Sequence, residues 1–153
     1  MTWHTAPPQE ETPGRFADLR RSPARTFALV FGVVYLLAGI SGFLATGLHD
    51  FAGPLQSTLL IFAVNPLHNI VHIALGLAGL AGSRSHRMAK RTNLALGAVL
   101  GLVTILGFLH LLGFLGIDGL QNPDNFLHLV TGTVALYFGS AGAEPADPTD
   151  AGA

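Results

Sequence analysis

The stretch Thr26–Gly47, TFALVFGVVYLLAGISGFLATG, contains no Asp, Glu, Lys or Arg. An α-helix rises about 1.5 Å per residue, so roughly 20 apolar residues cross the ~30 Å hydrocarbon core of a bilayer. The segment meets that length and predicts a membrane-spanning helix. It is too long for a signal-peptide core and lacks a convincing small-residue cleavage site, so it reads as an uncleaved anchor.

The same composition recurs along the chain. Of 153 residues, 50% are hydrophobic and only 11% charged, where soluble proteins carry roughly one quarter charged residues. Asn65-Pro66 and Asn122-Pro123 are helix starts: the Asn side chain can accept from free backbone N–H groups, and Pro at the first helical position gives up no useful hydrogen bond. Spans are therefore predicted over residues 26–47, 66–82, 92–117 and 123–140. The apolar piece 55–63 is too short to span and is expected to lie at the interface or to extend the helix after it. Residues 1–25, rich in Pro, Glu and Arg, and residues 141–153, with Glu144, Asp147 and Asp150, read as disordered tails. The expected fold class is an all-α polytopic membrane protein.

Charge gives this bundle a direction. All eight Lys and Arg residues lie before the first span or between the second and third, whereas the other two loops hold none. The positive-inside rule predicts that the N-terminus, the loop with Arg84, Arg87, Lys90 and Arg91, and the C-terminus all face the cytoplasm. No basic nucleic-acid surface is present, and the arginines of the middle loop suit anionic lipid. The chain has no cysteine, which excludes disulfides, thiolate metal sites and a cysteine nucleophile.

Laying the second span on the fourth reveals an internal repeat. Asn69, His72, Gly76 and Gly79 match Asn125, His128, Gly132 and Ala135 at identical spacing, on one helical face. Gly32 and Gly42-Phe43-Leu44 likewise match Gly97 and Gly107-Phe108-Leu109. The pattern predicts two tandem helical hairpins in parallel orientation, related by a pseudo-two-fold axis along the membrane normal. His72 and His128 are expected roughly 8 to 9 Å below the outer ends of their helices. His110 comes to a similar depth on the third span, with His68, His49, Asp50, Asp118 and Asp124 nearer the outer surface.

These residues also carry a resemblance. His68-Asn69-Ile70-Val71-His72 with Gly76 and Ala78-Gly79-Leu80, and Asp124-Asn125-Phe126-Leu127-His128-Leu129-Val130 with Gly132, resemble a bacterial, chiefly actinobacterial, membrane-protein family, domain of unknown function 4383. The likeness spans about residues 25 to 140 and implies four helices in a bacterial inner membrane.

Polar groups at membrane depth are costly, so the stripe Asn69, His72, Gly76, Asn125, His128 and Gly132 needs a role. The simplest is structural or accessory: Asn and His tie helices together while glycines let them pack closely, with no cofactor. A second is a haem or transition-metal site on His72 and His128, with His110 or His68 as further candidates. A third is a proton or small-solute path, which in so small a bundle requires a dimer. The expected partners are the lipid bilayer and either a second copy or another membrane protein. No nucleophile, paired-carboxylate or phosphate-binding constellation points to an enzyme.

Overall fold

The computed structural model describes residues 22–53 and 57–141. The protein is mostly helical: α1 (Pro23–Thr46), a β-hairpin of β1 (Ser57–Leu59) and β2 (Phe62–Val64), α2 (Pro66–Gly82), α3 (His86–Phe108), a 3-10 turn (Gly113–Leu115) and α4 (Pro123–Ser140). Helices α1 and α3 are long and apolar enough to cross a membrane, and α2 is a shorter apolar helix of 17 residues.

Each helix begins on a local signal. Asn65 accepts the His68 N–H at 2.9 Å ahead of Pro66, and Asn122 accepts the Asp124 N–H at 2.9 Å ahead of Pro123. At α1 the cap is Ser22, which accepts from Arg25 N, so residues 23–25, expected in the N-terminal tail, belong to the helix. The rest of that tail, and of the tail expected beyond residue 141, lies outside the described residues. Ser85 caps α3 and accepts from Met88 N at 3.2 Å. The basic residues Arg87, Lys90 and Arg91 therefore occupy the first turns of α3, where the sequence suggests a loop up to Arg91. Lys and Arg are good helix formers, and a Ser cap ahead of them suffices.

Two further expectations are corrected. The third helix does not continue to Ile117: α3 ends at Phe108, and His110 adopts a left-handed φ of 61°. A bridge between Leu112 and Ile117 then closes the 3-10 turn, with Gly116 and Gly119 also at positive φ. Glycines weaken a helix here, and the apolar residues bury sideways instead. Leu112, Leu115 and Ile117 form a small core against Leu67, Val71, Val103 and Leu106. From Ser57 onward the apolar piece before Pro66 is not an extension of α2. It is an antiparallel hairpin with register Ser57↔Val64 and Leu59↔Phe62. Its β-branched and aromatic residues favour the pleated form, and Val64 is its buried member.

Helix α1 packs chiefly on α2, and α3 on α4. The backbones nearly touch. A Cβ on Gly32 would stand 2.6 Å from Leu80 N and 2.9 Å from Gly76 O, and one on Gly97 would stand 2.6 Å from Leu136 Cγ and 2.9 Å from Gly132 O. Phe31, Tyr35, Leu96, Leu100 and Ala135 fill the centre. Hydrogen bonds join the two pairs: Asn93 Nδ2 donates to Ala24 O at 3.0 Å, Ser22 Oγ and His86 Nδ1 meet at 2.8 Å, and Tyr35 Oη and Thr131 Oγ1 meet at 2.9 Å.

Gly32→Ala should therefore destabilise the protein by about 1–3 kcal/mol, the usual cost of overpacking. Gly101→Ala, whose new methyl group meets nothing within 4 Å, should be neutral or mildly stabilising. Thermal unfolding of the purified variants checks both, and equal midpoints for the two would contradict the close helix contact.

Candidate functional site

The centre of the bundle is polar. His68 and His72, one turn apart on α2, and His128 on α4 are 1%, 6% and 2% exposed. Nε2 of His68 and Nε2 of His72 lie 3.0 Å apart, so one ring donates a proton to the other. The His128 ring stands edge-on to His72 with centroids 6.0 Å apart, and 6.1 Å from His68. One ring nitrogen from each of the three histidines falls within 4.8 Å of the others.

The surroundings are apolar and tight. A cavity of about 30 Å³ opens beside the three rings, walled by Val71, Leu75, Leu100 and Ile117 among others. That is room for one water or one ion. Tyr35, stacked on Phe31 with centroids 4.0 Å apart, brings its ring to 5.0 Å from that of His72. Among the described residues, His68 Nδ1, His128 Nδ1 and both carboxylate oxygens of Asp124 are buried without a hydrogen-bond partner. Backbone groups of Ala63 and Leu115 adjoin His68, as carbonyls often adjoin the second nitrogen of a ligating imidazole.

The predicted stripe divides in two. The asparagines do not pair with the histidines: Asn69 Nδ2 donates to Thr46 Oγ1 at 3.0 Å, and Asn125 Nδ2 donates to Gly119 O at 2.8 Å. Each asparagine side chain also fills the space beside a glycine of the neighbouring helix, Asn69 against Gly42 and Asn125 against Gly107. Gly76 lies against the α1 backbone and Gly132 against Leu100 and Gly101 of α3. These are packing and tying roles. Only the histidines converge on a common point.

His110 is not part of that point, contrary to the sequence expectation of a shared layer. It sits past the end of α3, 63% exposed by side chain, with Nδ1 2.8 Å from Asp118 Oδ1. The physical reason is the early end of α3, which carries His110 out of the helix. His68 takes its place. His49 and Asp50 are exposed and line an outer pocket of about 180 Å³ with Thr46 and Asn65.

Asp124 is the residue that sequence reasoning misplaced. Expected at the outer mouth, it is 0% exposed. A signal for it existed: the offset that matches Asn69 with Asn125 and His72 with His128 also matches His68 with Asp124. Tyr35, Asn93 and Thr104 are further buried polar residues without a sequence signal.

Among the described residues, fold and site thus define a bundle of four helices with apolar exterior faces and a histidine cluster enclosed at its centre. The chain belongs to the family described as domain of unknown function DUF4383, whose model matches residues 25–141. Comparison with curated proteins and with solved structures finds no match.

The Asn69–Thr46 tie should be visible as coupling. Asn69→Ala and Thr46→Val, each alone, should lower stability by about 1 kcal/mol, with a coupling near ~0.6 kcal/mol in the double variant, as for interhelical hydrogen bonds in membranes. Strictly additive losses in a denaturation series would show that the bond contributes nothing.

Proposed function

We propose that this chain is a four-span protein of the bacterial inner membrane whose enclosed histidines bind a transition-metal ion. The observation that carries the metal assignment is the convergence of His68, His72 and His128, one nitrogen each within 4.8 Å.

The membrane part is supported by where the apolar surface faces. The most apolar windows of α1 and α3 are only 33% buried, whereas a core helix of a water-soluble protein is mostly buried. Val30, Leu37, Leu102, Ile105 and Val130 are all exposed. Water does not favour such a surface, and lipid does. Helix α4 carries one charged residue, Asp124, and that one is turned inward. With α2 and α4 as the remaining spans, Arg25 and the Arg84–Arg91 segment fall at one end, which the positive-inside rule assigns to the cytoplasm together with both termini. The duplication is supported by matching contacts. Gly32 meets Gly76 and Leu80 as Gly97 meets Gly132 and Leu136, and Gly42 meets Asn69 as Gly107 meets Asn125. Two parallel hairpins about an axis normal to the bilayer account for this.

Imidazole nitrogens suit zinc, copper, iron and nickel. The 3.0 Å separation of the His68 and His72 nitrogens is close to the edge of a tetrahedron with zinc–nitrogen bonds of 2.0–2.1 Å, about 3.3 Å. An ion can replace the shared proton with little movement of the helix. Haem is disfavoured by size, because a cavity of about 30 Å³ has no room for a porphyrin. The purely structural role favoured by the stripe's composition fits the asparagines better than the histidines: the ring pair His68/His72 lies within one helix and ties nothing across the bundle.

Detergent-purified protein should bind about one zinc or copper ion per chain, measured by elemental analysis after dialysis, without a Soret band. His72→Ala should abolish binding, and His110→Ala should retain it. Equal metal content in the two variants would defeat the assignment. For topology, the chain's lack of cysteine permits single reporters: Arg87→Cys should be protected from an impermeant thiol reagent in intact cells and His49→Cys labelled. The reverse pattern would invert the orientation.

A further inference from the structure

Three neutral imidazoles do not settle which metals the site accepts or whether it is closed. Bringing a divalent ion into an apolar interior with neutral ligands alone leaves two uncompensated charges, and desolvation then works against binding. Among the described residues one candidate can offset them. Asp124 is 0% exposed, and neither of its carboxylate oxygens has a hydrogen-bond partner. An isolated buried carboxylate is among the costliest groups a fold can carry.

Its place in the chain sets it one turn from the cluster, outside the group of three converging ring nitrogens. Asp124 precedes His128 by one turn on α4, as His68 precedes His72 on α2, so the carboxylate occupies the position in the second hairpin that an imidazole occupies in the first. Across the bundle, the Tyr35 ring is 5.0 Å from that of His72. The start of α4 is served without Asp124, because the cap acceptor is Asn122. The first-turn dipole of α4 favours an anion there, but it supplies no hydrogen bond to either oxygen. Among the described residues, the charged or titratable groups within the bundle near the cluster are the three histidines, Tyr35 and Asp124; Asp118 and His110 pair with each other at the surface.

Resting on the metal reading above, we infer that Asp124 is the counter-charge of the bound ion, and that the site therefore takes a divalent rather than a monovalent metal. His68, His72 and His128 supply the neutral donors, and the carboxylate balances one of the two charges from the adjoining turn. The same placement accounts for a carboxylate in the second copy where the first has an imidazole: a fourth neutral ring would leave the ion's charge uncompensated.

The test compares Zn²⁺ and Ag⁺ as probes on the full-length protein in detergent, by competition titration. Wild type should prefer Zn²⁺. In Asp124→Asn, Zn²⁺ affinity should fall at least tenfold while Ag⁺ affinity stays within about twofold, and Asp124→Glu should recover most of the Zn²⁺ affinity. Unchanged Zn²⁺ affinity in a folded Asp124→Asn variant overturns the counter-charge role while leaving the histidine site intact. If that variant does not fold, wild type decides alone: tighter binding of Ag⁺ than of Zn²⁺ overturns the inference. Binding of neither probe by wild type overturns the metal reading itself, and this inference with it.

Discussion

The close approach of backbones within each helix pair sets the dimensions on which the centre depends. Where Gly32 faces Gly76 and Leu80, and Gly97 faces Gly132 and Leu136, a methyl group would already be too large. Helices held at that separation leave the space between the two pairs to be filled by side chains of the other faces. The rings of Phe31 and Tyr35 and the three imidazoles fill it. Small residues on the contact and large polar ones behind it are two sides of a single packing solution, because dispersion contacts and hydrogen bonds must provide the attraction where apolar burial provides little. The polar bonds Asn93 to Ala24, Ser22 to His86 and Tyr35 to Thr131 then fix one pair against the other.

Much of this was legible in the sequence because it is periodic or local. The Asn-Pro starts of α2 and α4 rely on the chemistry of two adjacent residues, and both caps form. The apolar run after Arg25 needs only length and composition to become a helix. The common face of Asn69, His72 and Gly76 follows from helical geometry. What failed was reading apolar character as helix without regard to punctuation. Residues 109–117 are as greasy as the helix before them, yet Leu112, Leu115 and Ile117 bury in a folded turn against Leu67 and Val71 rather than along a continued α3. Ser57–Val64 is likewise apolar, but it is too short for a helix of its own and folds back on itself as a hairpin.

The site was partly legible for the same reason. Spacing put His72 and His128 at one depth, and it put His68 on the same face as His72. It could not tell whether His110, near the end of an overextended helix, would point into the bundle or leave it. Nor does it tell on its own which of two exposed-looking acids at a loop edge turns inward. Asp118 pairs with His110 at the surface, whereas Asp124, a few residues on, is enclosed. The repeat contained that information, since it aligns Asp124 with the inward-facing His68, but comparing identities alone passes over a position where the two copies differ.

The apolar loops have a bearing on how so short a bundle sits in lipid. At 17 and 18 residues, α2 and α4 reach only about 26 Å, less than the ~30 Å of hydrocarbon they would have to traverse. Leu60 and Ile61 at the hairpin tip, with Leu109, Leu111 and Leu120 on the facing connection, are all exposed at the end away from the arginines. In the proposed four-span arrangement these side chains extend the greasy girdle past the helix ends, so hydrophobic mismatch is absorbed by loop residues rather than by thinning of the bilayer.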